Sequence, residues 1–295
     1  MFYPKNLFYF FTGKEYFCQM QKMKSLSVFL VLALLISSCG EYQKVLSKGK
    51  NTEKYKLAVD LYEKGEYKKC IPLFEKLVGP YANKPQMERI QYMISDCYYQ
   101  TENYSMSAYY FNKFITNYPE SSKVEEAGYL SAKSHFLASP RYSRDQEDTY
   151  KALTAYQNFI DKYPQSELIE EANKDYDALS KRLEKKDYEI AWQYYHTENY
   201  SAAIMAFDIF NEEHLGSDYK ENAMYYRFKS GYYLGLKSIL SKKEERISDA
   251  ILAQRKFEIT FPESELVPET REMVKKLQED LLKTREQLST ISQNN

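Results

Sequence analysis

Three histidines, four cysteines and two runs of adjacent carboxylates are the residues of this 295-residue chain best suited to covalent or metal chemistry. His135, His196 and His214 fall in different segments, and none has the short His-to-His spacing with a nearby carboxylate that holds zinc. Glu125-Glu126 and Glu212-Glu213 lie in helix-patterned stretches, where paired carboxylates ordinarily form a solvated face. No glycine-rich phosphate loop and no nucleophile elbow is present. The expectation is a protein that is not an enzyme, with no cofactor and no metal. Cys70 and Cys97 fall at helix ends that antiparallel neighbours bring together. An oxidising compartment allows a disulfide there, and buried free thiols are also common in cores.

Composition narrows the class further. Charged residues make up 28% of the chain and the net charge is −1, without the basic surplus of a nucleic-acid footprint. Nine Gly and nine Pro argue against disorder and against a turn-rich β protein. Tyrosine is the anomaly, with 30 Tyr and 16 Phe against one Trp. A tyrosine packs as a large apolar body while its hydroxyl stays wet. That suits half-buried helical hairpins, and it also suits a binding groove.

The remaining cysteine of interest, Cys39, ends an apolar run. Lys22 and Lys24 precede Leu26–Ile36, a core of the length of a signal-peptide h-region and too short to span a membrane. Ser37 and Ser38 then lead to Cys39. Ile36-Ser37-Ser38-Cys39 resembles a loose bacterial lipobox. The resemblance implies a signal peptide over 23–38, lipidation of Cys39 with palmitate-class acyl chains, and a lipid-anchored tether over 39–52. More than one chain is needed for stable anchoring. By the same logic Met23 is the natural initiator and 1–22 an upstream extension. Gly40-Glu41-Tyr42 lacks the Asp that resembles an inner-membrane retention signal. The expected location is the outer membrane, lipid-anchored, at its periplasmic face.

The elements that position the remaining chain repeat. Tyr98-Tyr99-Gln100-Thr101-Glu102-Asn103-Tyr104-Ser105 returns 96 residues later as Tyr194-Tyr195-His196-Thr197-Glu198-Asn199-Tyr200-Ser201, identical at seven of eight positions. An internal repeat at a fixed period marks an array of supersecondary units. Each copy lies between two segments with apolar residues at helical spacing, so it reads as the hinge of a helical hairpin. Five such hairpins are expected, of tetratricopeptide-like pattern: three over 53–166, then a linking helix and two more over 167–264. Pro72 is expected in the first turn of its helix, where it is tolerated. Tyr118-Pro119, Tyr163-Pro164 and Phe261-Pro262 mark helix ends, because proline disfavours helix in the residue before it. The loop between Leu236 and Arg246 reads as long and basic. Residues 265–295 read as a capping helix with a frayed tail. The fold class is all-α, a tetratricopeptide-like solenoid.

A lipobox, five hairpins and a capping helix resemble the BamD-type outer-membrane assembly lipoproteins over about residues 39–285. The most specific match is Tyr142-Ser143-Arg144-Asp145-Gln146, followed by Thr149, Ala152 and Tyr163-Pro164-Gln165-Ser166. Repeat one departs from the pattern with Gly79-Pro80-Tyr81 at its end, and repeat four with His214-Leu215-Gly216-Ser217. The resemblance implies a non-catalytic, substrate-receiving scaffold of the β-barrel assembly machinery (the BAM complex), acting in protein insertion into the outer membrane. Its partners would be unfolded outer-membrane β-barrel proteins and a BamA-like barrel insertase, through protein–protein contacts, with no nucleic acid. With helix A of each hairpin lining the groove, the substrate residues would be Arg89, Tyr92, Asp96 and Tyr99 in repeat two and Glu126, Tyr129, Lys133 and Phe136 in repeat three. Aromatics flanked by cations suit an extended peptide with aromatic side chains and a terminal carboxylate. The same residues could instead brace neighbouring helices. Arg144, Asp145 and Gln146 form the family loop, with Asp145 suited to cap the following helix. Lys220, Arg227 and Lys229 are the candidates for the insertase contact.

Two other readings compete: a periplasmic repeat lipoprotein coordinating envelope or peptidoglycan processes, and a glycan-binding uptake lipoprotein. The Arg144-Asp145-Gln146 loop disfavours the first, and the single Trp disfavours the second.

Overall fold

A computed structural model describes residues 40–293 of the chain. The signal-like segment, Cys39 and the last two residues lie outside the described residues. Among the described residues all regular structure is helical. A short helix over 40–48 (α1) is followed by α2 (Asn51–Glu63), α3 (Tyr67–Tyr81), α4 (Gln86–Gln100), α5 (Tyr104–Asn117) and α6 (Val124–Ala138). Then come α7 (Glu147–Lys162), α8 (Ile169–His196), α9 (Tyr200–Glu213), α10 (Lys220–Leu236), α11 (Leu240–Thr260) and α12 (Val267–Gln293). No described helix is long and apolar enough to cross a membrane.

The chain divides into two compact units, with the division at Ala127 inside α6. In the first, α2 packs on α3, α3 on α4 and α4 on α5. Its core holds Leu73, Phe74, Leu77, Ile90 and Ile94, all fully buried. In the second, each of α7 to α11 packs on its successor in the chain. Its apolar clusters centre on Tyr156 and Phe159, on Phe207 and Phe210, and on Phe228 and Ile247. Pairing of sequence neighbours is the packing of tetratricopeptide-like hairpins, in which each element buries its apolar face on the next.

The hinges explain why the repeated motif has its composition. After α4, Asn103 N–H donates to Tyr98 O at 2.9 Å and Glu102 N–H to Tyr99 O at 3.0 Å. After α8, Asn199 donates to Tyr194 O at 2.9 Å and Glu198 to Tyr195 O at 3.0 Å. These bonds close the helix end with one residue in the left-handed region. That residue is Glu102 (φ 61°) or Glu198 (φ 60°), and Gly65 (φ 74°) in the first hairpin. The following Asn103 and Asn199 cap the next helix, accepting from Met106 N–H and Ala202 N–H.

The structure departs from the sequence expectation at four places. The expected tether is helical over 40–48, and Tyr42 and Leu46 pack against the first core, with Tyr42 Oη donating to Lys69 O at 3.0 Å. The linking helix and the first helix of repeat four are one continuous α8, because no breaker interrupts Glu167 to His196. The long loop expected after Leu236 shrinks to three residues, since α11 begins at Leu240. Pro72 lies in the second turn of α3, which starts as early as Tyr67.

Candidate functional site

The first unit presents an open pocket of about 630 Å³ built on one stripe of α4. Glu88, Tyr92, Asp96 and Gln100 recur every four residues, and Arg89 lies three before Tyr92, so they share one face of that helix. Tyr62 and Glu63 from the end of α2, Phe114 from α5, and Lys123 and Glu126 around the start of α6 complete the lining. The floor is aromatic: the Tyr92 ring meets Phe111 and Phe114 edge-on, with centroids 5.8 and 5.5 Å apart.

Most of the polar lining is engaged within the pocket. The Tyr62 hydroxyl donates to the buried Asp96 carboxylate, which also accepts from Gln100 Nε2 at 3.1 Å. Burial and this bond push the Tyr62 hydroxyl well above the ordinary phenol range. Ser121 Oγ donates to Glu88 at 2.6 Å. Lys123 pairs with Glu126 at 2.7 Å and lies 5.5 Å from the Tyr92 ring centroid. Burial works against the Glu126 carboxylate, yet hydrogen bonds from Lys123 and Tyr92 outweigh it and hold Glu126 below the ordinary carboxylate range. Arg89 differs. Its side chain is 56% exposed, and its ion pair with Glu63 is long, at 3.8 Å. It is the lining cation most open to an incoming carboxylate.

Of the eight groove residues expected from sequence, Arg89, Tyr92, Asp96 and Glu126 share this pocket. Tyr99 sits instead at the hinge, edge-on to Tyr104 at 5.9 Å. Tyr129, Lys133 and Phe136 belong to the second unit's packing. Lys133 is 18% exposed and bridges Asp175 at 2.7 Å and Glu171 at 2.9 Å. Its desolvation is outweighed by those carboxylates, which raise it above the ordinary lysine range. Tyr156 Oη donates to the same Asp175 at 2.6 Å. Tyr129 packs on Phe159 at 5.7 Å, and Phe136 meets Tyr156 at 6.5 Å.

The 144–146 loop is organised by its glutamine. Gln146 is 3% exposed; its Nε2 donates to Arg141 O at 3.0 Å and Arg144 O at 2.9 Å, and its Oε1 accepts from Thr149 at 2.7 Å. Asp145 Oδ1 accepts from Glu147 N–H at 2.9 Å, holding the entry to α7. Arg144 is exposed, and no ion pair holds it among the described residues.

Lys220, Arg227 and Lys229 are not brought together as one patch. Arg227 is 15% exposed and reaches Asp208 at 2.9 Å and Asp249 at 3.0 Å, beside a cavity of about 200 Å³. Lys229 bonds Tyr225 Oη at 3.0 Å and Glu269 at 3.4 Å. Lys220 Nζ donates to Leu215 O at 3.0 Å on an exposed edge. Asp187, Glu213 and His214 bring ligand-type atoms within 4.8 Å of one another, with His214 Nε2 3.1 Å from Asp187. A hydrogen bond between His214 and Asp187 accounts for that contact as it stands.

Sequence reasoning missed Tyr62, Glu63, Glu88, Gln100, Phe114 and Lys123 as pocket residues. Glu88 and Gln100 were legible from the spacing on α4. Tyr62, Glu63, Phe114 and Lys123 come from other elements and depend on how the helices pack.

Comparison with known proteins accords with these features. The sequence model of the YfiO family, described as an outer membrane lipoprotein, matches residues 47–247. The outer membrane protein assembly factor BamD of Rickettsia prowazekii is 23% identical over 223 residues, covering 74% of this chain and 87% of that protein. BamD of Vibrio cholerae is 24% identical over 193 residues, covering 62% of this chain and 80% of the relative. BamD of Caulobacter vibrioides is 23% identical over 182 residues, covering 62% and 60%. The hairpin array, its polar–aromatic pocket and the match over most of its length together place this chain in the YfiO/BamD family of outer membrane lipoproteins.

Proposed function

We propose that the chain serves outer-membrane protein assembly as a substrate-receiving scaffold, held to the outer membrane by acyl chains on Cys39 and facing the periplasm. The observation that carries the reading is the first-unit pocket. An aromatic floor of Tyr92 and Phe114 lies beside Arg89, whose guanidinium is weakly engaged. An unfolded β-barrel segment with aromatic side chains and a terminal carboxylate meets both requirements: its rings stack on the floor and its carboxylate pairs with Arg89. Asp96 and Glu126, each tied to a pocket tyrosine, shape the walls and do not compete for that cation. The work is binding and positioning.

For the partner contact, Lys220 is the one of the three candidate cations that bonds only a backbone carbonyl among the described residues, and the one we assign to a BamA-like insertase. Arg227 and Lys229 support α10 internally. The test is affinity purification from detergent-solubilised outer membrane, with a photo-crosslinker placed beside Tyr92. Recovery of a barrel insertase, and crosslinks to unfolded barrel chains that Arg89→Glu abolishes, is the expected result. A purified complex without an insertase, or crosslinking unaffected by Arg89→Glu, would defeat the reading. Cys39→Ser should release the protein from the membrane fraction, and membrane retention by that variant would remove the anchor.

A further inference from the structure

Cys70 on α3 and Cys97 on α4 are both fully buried and belong to the same apolar cluster. Both lie where α3 packs on α4, and the two thiols interact across that interface. Cys70 Sγ–H donates to Glu66 O at 3.4 Å. Repeat geometry does not require either cysteine. The position of Cys70, three residues after the hinge tyrosine Tyr67, is Ser107 after Tyr104 and Ala203 after Tyr200. Those residues, equally buried, show that any small side chain satisfies the packing there. The position of Cys97 becomes Gln193 in the copy 96 residues later, and Gln193 is exposed. Thiols therefore stand at two positions that packing leaves free to differ, and they face each other across one helix interface.

We propose that Cys70 and Cys97 form an intramolecular disulfide in the mature protein, a covalent cross-link between α3 and α4. Two S–H bonds break and one S–S bond forms. The two electrons and two protons pass to the disulfide of an exchange partner, of the thiol oxidoreductase class, which leaves as a dithiol. Because both sulfurs are sealed in the folded unit, exchange takes place before α4 docks on α3.

The consequence falls on the pocket. Asp96, Cys97 and Tyr98 are consecutive on α4, and each reaches the preceding hairpin. Asp96 accepts from Tyr62 of α2, Cys97 touches Cys70, and Tyr98 Oη donates to Glu75 of α3 at 2.6 Å. A bond at the middle of this triplet ties α4 to α3, beside the Asp96–Tyr62 contact that lines the pocket.

This inference rests on the periplasmic location proposed above, and the test separates the two. Full-length protein is recovered from fractionated cells and acid-quenched. Thiols are alkylated, disulfides are reduced, and the newly freed thiols receive a second label before peptide mapping. The expected result is that Cys70 and Cys97 carry the second label, and that an unreduced digest contains their joined peptides. In unfolding of the same protein, reduction should shift the urea midpoint downward, and Cys70→Ala/Cys97→Ala should abolish that shift. Protein in the outer-membrane fraction with both cysteines carrying the first label would overturn the cross-link and leave the location standing. Protein absent from the membrane fraction would overturn the location. The cross-link is then judged by refolding the full chain in a glutathione redox buffer, where the joined peptides support it and two free thiols overturn it.

Discussion

The α4–α5 hairpin and the α8–α9 hairpin repeat each other at an offset of 96 residues, and they differ where a ligand would lie. Their hinges share every backbone bond and cap. The cores of their second helices correspond, with Ser107, Phe111 and Phe114 matched by Ala203, Phe207 and Phe210. Even Ser121 to Glu88 recurs as Ser217 to Glu184. The lining differs. Tyr92 has Lys123 above it at 5.5 Å, whereas the matching Tyr188 carries Tyr219 stacked at 4.7 Å. Buried Asp96, bonded to Tyr62, becomes Trp192 stacked on His196 at 4.9 Å. Glu126 becomes Asn222. Three substitutions thus convert an open charged pocket into an aromatic-filled one on an unchanged frame. Geometry is what the duplication preserved, and the groove is where the two halves diverged.

The strongest test of the shared frame is Phe111→Ala beside Phe207→Ala. Both rings are fully buried, so each truncation should cost about 3–5 kcal/mol, a transfer loss plus a cavity. Urea unfolding of the two variants would check it, and a loss below about 1 kcal/mol at either ring would break the equivalence. The next test separates two matched lysines. Lys133→Met leaves Asp175, whose side chain is 10% exposed, without its cation and should cost about 3 kcal/mol. Lys229→Met faces Glu269, 50% exposed, and should cost less than about 1 kcal/mol. Equal losses would mean that the two networks are interchangeable.

Converting one lining toward the other sharpens the functional half of the comparison. Lys123→Tyr should stack on Tyr92 as Tyr219 does on Tyr188 and fill the pocket. Binding of a labelled peptide with an aromatic C-terminus, followed by fluorescence polarisation, should weaken about tenfold, roughly 1.4 kcal/mol. Unchanged affinity would place the binding site elsewhere. Acidity offers a smaller handle. Glu126 is held below its ordinary value of 4.5 in the folded chain, so its contribution is present above that value. It is lost as pH falls through the lowered one. The unfolding midpoint of the wild type should therefore drop more steeply below pH 4.5 than that of Glu126→Gln. Parallel profiles would show that the Lys123–Glu126–Tyr92 contact adds nothing to stability.

Legibility followed how local each determinant is. Hinges and helix stops were readable because a left-handed residue, an Asn cap or a Tyr-Pro pair acts within a few residues. The continuity of α8 was not, because the expected break came from counting repeats and no Gly or Pro supplied one between Glu167 and His196. On α4 the stripe from Arg89 to Asp96 was readable through helical spacing. Tyr62 and Lys123 could not be added without knowing which helix ends meet. The basic residues of α10 show the same limit most clearly. Whether Arg227 is an open contact or an internal brace depends on Asp208 and Asp249, which lie on two other helices.

The smallest expected effect tests the hinge itself. Glu102 and Glu198 hold a left-handed backbone that costs a side-chain-bearing residue about 1 kcal/mol or more, and Gly65 fills the same place without that cost. Glu102 is exposed, so Glu102→Gly should stabilise the first unit by roughly 0.5–1 kcal/mol, the conformational relief less the added freedom of the unfolded chain. Glu198 has a second role: its carboxylate accepts from Lys237 at 2.6 Å, with both side chains more than half exposed. Glu198→Gly gains the same backbone relief and loses that surface pair, so its net change should be nearer zero. Thermal unfolding of the two variants in parallel reads the difference, and adding salt should narrow it, because screening removes only the Lys237 contribution. If Glu102→Gly destabilises instead, the glutamate at that hinge is held by something other than backbone geometry, and the equivalence of the two hinges ends at their shared sequence.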